Sequence, residues 1–587
     1  MGTENTSNIC KWLDEDLDVG IENESDDESN KEDLLNEVHD SNSEQDNEEE
    51  DDDYGDGDER LMSINDGNCY TGRDNTTIWQ EEPVSLRGRR RAQNIVIHLP
   101  GPKRAAKNAR THTECFDCFI DQTIINVIVR CTNIYIEKVK RNYGRDRDCK
   151  LTNDVEIRAL LGILYLAGAL KSGRLNVREL WDKNGTGIES IYLTMTYNRF
   201  QFLLRCLRFD NIHDRQERKE IDKLAAVREV FELFVQNSQR CYIPSEYVTI
   251  DEQLVAFRGR CPMKVYIPTK PAKYGIKIFA MVDVKTYYTH NLEIYAGIQP
   301  DGPFHQSNSA HAVVKRLVHP IKGTGRNVTT DNWFTSIPLC LDLLENDKIT
   351  LVGTLKKNKR EIPPHFTTTQ DREVNSTLFG FNENCTIISY VPKKNKTVLA
   401  LSTMHYDKAM DEETGGSQKP EIISFYNRTK CAVDVLDQLC SAYDVSRNSR
   451  RWPLTIFFDL LNIAGVNALV VYSANKQKIL RKNFLKTLAL DLMKPLISER
   501  ITQQTIPREI KRRGEQLLGI PQTGQEEGTR PEGIGRCYMC GRTRNKSTRQ
   551  SCSQCLKRIC PTHSDVICLN CVEEMHRPTQ IIESDVD

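Results

Sequence analysis

The stretch Tyr247-Val-Thr-Ile-Asp251-Glu-Gln-Leu-Val-Ala-Phe-Arg-Gly-Arg260 sets one carboxylate in a β-type run and follows it with two arginines. Successive side chains of an extended strand point to opposite faces. Tyr247, Thr249 and Asp251 therefore share one face, and Val248 and Ile250 the other. A strand that buries its apolar face and offers an acid on the opposite one suits a metal-phosphate site. A single aspartate does no phosphoryl chemistry. Two later stretches supply partners: Asn327-Val-Thr-Thr-Asp331-Asn-Trp-Phe-Thr-Ser336 and Thr429-Lys-Cys-Ala-Val-Asp434-Val-Leu-Asp437-Gln-Leu439.

The elements around these acids follow an order. Strand patterns cover 247–257, 273–284 and 287–296, a helix covers 310–318, and a buried strand ends at Asp331. A helix over 334–345 and a strand over 350–355 complete β-β-β-α-β-α-β, the order of an RNase H-like core. Such a core carries its first acid on strand one, its second at the end of strand four and its third on a later helix. Asp251, Asp331 and Asp434 take those places. The core then comprises 246–355 and 421–444, with a β-rich insertion at 356–420 that includes strands over 386–391 and 397–403. Helical patterns fill 113–245 and 445–502: Asp121 caps one helix, Thr152 opens another, and 193–209, 223–239 and 483–497 follow. The run 453–472 is apolar enough to raise a membrane question. Because it is solitary and contains Asp459, Asn462 and Asn467, it reads as a core helix, and no membrane partner is expected.

Magnesium (or manganese) takes carboxylate oxygens together with water and substrate phosphate oxygens. Two such ions ~3.5–4 Å apart can serve the attacking and the leaving oxygen of a phosphodiester. Asp251, Asp331 and Asp434 are the minimum scaffold for them. Asp437, three residues after Asp434 on one helix face, is either a fourth ligand or a carboxylate that supports the other three. Bases surround the acids: Arg258, Arg260, Lys264, Lys270, Lys273, Arg326, Lys356, Lys357, Lys359 and Arg360, then Arg450 and Arg451 beside Trp452. They are candidates for a DNA backbone, and Trp333 and Trp452 for stacking on unpaired bases.

At 587 residues the chain has room for two to four domains. Its net charge of −3 hides an asymmetry, because residues 1–60 hold 25 acids and 3 bases. The remainder holds 58 acids and 77 bases, a net charge of about +19 that suits a nucleic-acid partner. Residues 1–112 read as disordered, acidic and then basic, with Arg87-Gly-Arg89-Arg90-Arg91 and Lys103-Arg104 as a nuclear signal or a DNA-contacting arm. Seven of the 20 cysteines lie between Cys537 and Cys571, which fits a reducing compartment and not a disulfide scaffold. After a linker at 503–535, the segment 536–575 offers eight ligand-type residues in four close pairs, enough for two tetrahedral zinc ions. The short gaps between pairs favour a cross-brace. Cys537, Cys540, Cys560 and His563 hold one ion, and Cys552, Cys555, Cys568 and Cys571 the other. Cys115-x2-Cys118 has no second pair and reads as core thiols. A ubiquitin ligase of the RING type is disfavoured, since histidine is its fourth ligand and the sixth here.

These stretches resemble the piggyBac transposases, specifically the insect-type element with a C-terminal cysteine-rich domain. The matching motifs are TIDEQL and FRGRCP (249–262), YIP and KYGIKI (266–278), DNWFTSIPL (331–339), VGTLKKNKREIP (352–363), VDVLDQLCS (433–441) and RWP (451–453), with the tail spacing. The resemblance implies a DDD transposase whose catalytic aspartates match Asp251, Asp331 and Asp434, with Asp437 as the additional one. It implies magnesium-dependent hydrolysis at transposon 3′ ends, hairpin formation on the flanking DNA, and joining into TTAA targets. It further implies a homodimer assembled through the helical segments 113–245 and 445–502, and a cysteine-rich tail that reads terminal inverted repeats. A nuclear location goes with that activity. The alternative is a domesticated descendant that binds DNA or chromatin without transposing.

Overall fold

The computed structural model describes residues 69–83, 96, 98–268, 270, 272–520, 533–540, 546–552 and 557–565. The expectations for residues 1–68, the arginines at 87–91, and Cys555, Cys568 and Cys571 lie outside the described residues.

The alternation of the opening stretch folds as one ten-residue strand, Tyr247–Ala256 (β1), with Val248 and Ile250 fully buried. Tyr274–Asp283 (β2) and Thr289–Ile294 (β3) extend it as an antiparallel meander. Asn327–Thr330 (β4) lies parallel to β1, and Thr350–Thr354 (β5) parallel to β4. The spatial order β5-β4-β1-β2-β3 is that of the RNase H-like core.

Parallel neighbours need crossovers, and helices supply them. Ala310–Val318 (α1), capped by Ser309, precedes β4, and Ile337–Asp347 (α2), capped by Ser336, precedes β5. Both pack against Val248, Ile250, Val328 and Leu351 through Val313, Val314, Leu317, Leu339 and Leu343. On the opposite face, Ile422, Ile423 and Phe425 of Glu421–Thr429 (α3) meet Val352, Ile388 and Ala400. Ala432–Ala442 (α4) follows and lies on β1 and β2.

One expectation is met and one corrected at the sheet edge: the insertion is β-rich, and part of the N-terminal region is ordered. Thr377–Phe381 (β6), Thr386–Lys393 (β7) and Lys396–Ser402 (β8) form the insertion, and β8 pairs antiparallel with β5, so the insertion continues the core sheet. An unpaired β5 would expose a row of backbone donors and acceptors, and the insertion covers that edge. Residues 69–83 are not disordered. Cys69–Thr71 and Ile78–Gln80 form a hairpin that pairs with β6 through Gln80 and Phe381. Trp79 is fully buried in the core, and the acidic average of the N-terminal region masked it. Losing that indole would cost about 3–5 kcal/mol.

In the helical part, Asp121 caps Gln122–Lys140 as read. Asn153, rather than Thr152, caps Asp154–Ala169. The helix expected over 193–209 is two, Glu189–Thr194 and Tyr197–Cys206, because Thr196 caps the second and breaks the run. Trp452–Asn475 (α5), long and apolar enough to cross a membrane, is buried along most of its length inside the protein. Its polar residues find partners there: the Asn467 amide bonds both backbone groups of Thr289, at 2.9 and 3.0 Å. The chain parts into two compact units, 1–500 and 501–587. The second contains the helix Arg508–Leu517 and a small hairpin, Gly535–Arg536 with Ser547–Thr548.

Candidate active site

The parallel register of β1 and β4 sets Ile250 beside Thr330. One residue further on, at the mouth of the sheet, Asp251 and Asp331 stand side by side. Carboxylate oxygens of Asp251, Glu252 and Asp331 lie within 4.8 Å of one another. Glu252 was absent from the sequence reading, since strand alternation argues against neighbouring residues sharing a site. Asp331 is held by its own turn, its Oδ1 accepting from the backbone N–H of Trp333 at 3.0 Å and Phe334 at 3.3 Å. Asp251 Oδ1 accepts from the N–H of Glu252 at 2.7 Å.

Burial makes the two sheet aspartates harder to ionise. Burial, then the charges of Glu252 and Asp331, holds Asp251 well above the usual carboxylate range. Burial and then Glu252 push Asp331 up to about 6. Carboxylates short of water and beside one another resist losing protons until a cation neutralises them. A divalent ion that favours oxygen ligands therefore fits the donor set.

The helix-borne acids are brought alongside by threonines. Thr249 Oγ1 donates to the Thr429 carbonyl at 2.5 Å, and Thr329 Oγ1 to Thr429 Oγ1 at 2.8 Å. The end of α3 is thus pinned to β1 and β4 two residues before each sheet acid. Asp434 enters in the first turn of α4 and points into water, with 58% of its side chain exposed. It stands outside the tight group of three. Lys270 stands next to it, its Nζ 3.9 Å from Asp434 Oδ1 and 3.5 Å from the Glu252 carbonyl oxygen. The same ammonium favours ionisation of Asp251 and Asp437. Asp437 turns inward, and burial pushes it up to about 7. Beneath it Gln253 Nε2 donates to Asp459 Oδ1 at 3.0 Å, inside the protein. Burial raises the Tyr426 hydroxyl, and the charges of Asp331, Asp251 and Asp434 raise it further.

The basic rim divides. Arg258, Arg260, Lys273, Lys357, Arg360 and Arg450 are exposed, while Lys264, Lys356, Lys359 and Trp452 are half-buried. A Cβ on Gly259 would lie 3.0 Å from the Arg450 carbonyl, so the Arg258–Arg260 turn touches the start of α5. Arg326 is corrected: it is 1% exposed, and its guanidinium donates to the carbonyls of Pro244 and Ser245, leaving nothing for DNA. Arg451 likewise spends its guanidinium on the carbonyls of Leu204, Arg205 and Leu207. Trp333 stacks on Phe279 at 5.5 Å, under Lys277.

In the second unit, Cys537, Cys540, Cys560 and His563 gather with ligand atoms within 4.8 Å of one another. The Cys540–Cys560 sulfurs are 3.7 Å apart, and His563 Nδ1 lies 3.4, 3.6 and 3.7 Å from the three sulfurs. A tetrahedral zinc with bonds of ~2.3 Å to sulfur and ~2.0 Å to nitrogen has edges of roughly 3.5–3.8 Å, so the four atoms fit it.

Residues 111–469 match the Transposase IS4 family model. The chain is 24% identical over 380 residues to human PiggyBac transposable element-derived protein 3, covering 60% of each. It is equally similar to the human Chimeric ERCC6-PGBD3 protein, of which it covers 34%. The chain thus spans less than two thirds of the length of these curated relatives. A cryo-EM structure of a piggyBac transposase synaptic complex with hairpin DNA superposes with a TM-score of 0.71 at 35% identity, over 81% of this chain and 100% of that one. With the RNase H-like order and the paired sheet acids, these likenesses make the chain a member of the piggyBac transposase family.

Proposed function

We propose that the protein is a cut-and-paste DNA transposase of piggyBac type. The observation that carries this reading is the pairing of Asp251 with Asp331 at one level of adjacent parallel strands, joined by Glu252 and flanked by Asp434. Asp251, Asp331, Asp434 and Asp437, with Glu252, would hold two Mg2+ or Mn2+ ions. When bound, these ions supply Lewis-acid activation of the attacking oxygen and neutralise the leaving one. The chain's own residues do the rest. The Asp331 turn and the Thr429 anchor fix where the acids point. Lys270 adds positive charge where a phosphate would lie. Arg258, Arg260 and Arg450 on one side, and Lys357 and Arg360 on the other, would grip the backbone. The reaction so supported is hydrolysis at transposon 3′ ends, attack of the freed 3′-OH on the flanking strand to give a hairpin, and joining to TTAA. The Cys/His tail, as a two-zinc cross-brace, would read terminal repeats. A homodimer in the nucleus completes the proposal.

A second reading is a domesticated DNA-binding protein, favoured by the "transposable element-derived" relatives. An excision assay in cells comparing wild type with Asp331→Asn separates the two. Excision by wild type alone supports the transposase. Equal, nonzero excision by both would overturn the assignment of the acids, and DNA binding without excision by either would favour the domesticated form.

A further inference from the structure

The basic loop Lys356-Lys-Asn-Lys-Arg360 leaves the sheet just past β5, whose Gly353 is level with Thr330. It therefore emerges at the same end of the sheet as Asp331. The turn bonds within this run are long, the Lys359 N–H reaching the Lys356 carbonyl at 3.4 Å, and its backbone is held from the N-terminal hairpin. Arg73 Nη2 donates to the Lys357 carbonyl and, at 2.8 Å, to that of Lys359. The Asp74 N–H donates to the Arg360 carbonyl at 2.9 Å, and Trp79 Nε1 to that of Glu361 at 2.9 Å. Gly72 is pressed so close that a Cβ there would lie 2.7 Å from the Glu361 carbonyl oxygen. The hairpin is itself stiff: Asp74 accepts from the N–H groups of Thr76 and Thr77, and Asn75 takes a left-handed φ of 57°.

We propose that residues 69–83 brace this loop, holding its carbonyls inward so that its cations face a DNA backbone. This deepens the proposed function by making the N-terminal hairpin part of the DNA-binding surface. The chemistry is selective. A free loop of lysines and arginines can turn its own carbonyls toward a phosphate, which repels them. A loop whose Lys357, Lys359 and Arg360 carbonyls are already occupied turns mainly positive charge outward, and it meets DNA with less ordering cost.

The test uses the full-length protein, a short mixed-sequence DNA duplex and two single variants. Arg73→Met removes an exposed donor, and Trp79→Phe keeps a ring in the core but loses the N–H. Each should expose the loop to trypsin after Lys356, Lys357, Lys359 and Arg360. Each should also flatten the dependence of log K on log salt by ~1–2, with binding weakened severalfold and the melting temperature of Arg73→Met unchanged. Trypsin resistance equal to wild type in Arg73→Met would overturn the brace. So would an opened loop with unchanged DNA affinity. Lys357→Gln combined with Arg360→Gln isolates the loop itself: weakened binding there, with normal binding in Arg73→Met, rejects the brace and leaves the loop's contact with DNA standing. Excision by wild type against Asp331→Asn is read separately, so the fate of the transposase reading does not depend on this outcome.

Discussion

The acids of the sheet and the Cys/His group of the tail are both arranged for cations, yet they are assembled in opposite ways. Asp251 and Asp331 are 80 positions apart in sequence and meet because two strands pair in register. Cys537, Cys540, Cys560 and His563 lie within 27 residues and converge with little regular structure among the described residues around them, a two-residue hairpin, one bridge and a short turn of 3-10 helix. The sheet site has its folding energy supplied by a hydrophobic core on each face. The tail has Cys537 and Cys560 buried and little apolar core among its described residues. One site should outlive its metal and the other should not.

The largest effect expected is therefore in the tail. A thiol-competent chelator, or Cys560→Ser, should abolish protease resistance across 533–565, because structural zinc supplies about 10–16 kcal/mol of folding energy in such modules. Stripping magnesium should leave the 1–500 unit folded, its melting lowered only by the loss of ion binding. A tail that keeps its protection without zinc would remove the contrast.

Within the sheet site the contrast sharpens between a buried acid and an exposed one. Asp331→Asn and Asp434→Asn should each cut DNA cleavage by about 10²–10³-fold or more, read by strand scission on a labelled end fragment. Their effects on stability should part. Ionised Asp331 is held against its burial, so Asp331→Asn should raise metal-free stability by about 1–3 kcal/mol at neutral pH. Asp434→Asn should leave it unchanged, since that side chain is mostly in water. Denaturant titration of both variants decides this.

A smaller effect follows from proton competition. The folded pKa of Asp331, about 6, and of Asp437, about 7, lie above their unfolded values near 4. The folded state thus holds these protons more tightly. Metal-free stability should fall as pH rises from about 4 to 7, and metal binding should recover it. Calorimetric Mn2+ affinity should strengthen up to about tenfold per pH unit for each proton displaced between pH 6 and 7. A flat profile would mean that the ion does not displace those protons.

Period-two alternation in β1 and the acid ending β4 were enough to read the sheet site, because in-register pairing of two strands needs only pattern. Glu252 was illegible, since adjacency on a strand argues for opposite faces, yet its carboxylate reaches within 4.8 Å of the two aspartates. The place of Asp434 was half legible: the helix was readable, but its exposure depends on Thr429 bonds that cross 180 and 100 positions. Residues 69–83 were lost in an acidic average, although Trp79 in such a region signals a buried anchor. Arg326 was misread because a basic residue next to a strand looks the same in sequence whether it faces DNA or a pair of carbonyls. Four of the tail's residues needed only spacing to be grouped, and Cys537, Cys540, Cys560 and His563 do lie together.

That last confusion leads to the smallest effect. Lys357 is exposed and Arg326 is sealed, so charge removal should act on different quantities at the two positions. Each phosphate contact contributes ~0.9 to the slope of log K against log salt on duplex DNA. Lys357→Gln should lower that slope by about this much and leave melting unchanged, as surface substitutions usually do. Arg326→Gln should leave the slope alone and destabilise the protein, because the carbonyls of Pro244 and Ser245 lose a buried donor. An Arg326→Gln slope that fell as well would mean that burial in the free protein does not hold in the DNA complex, and that the start of β4 opens when DNA arrives.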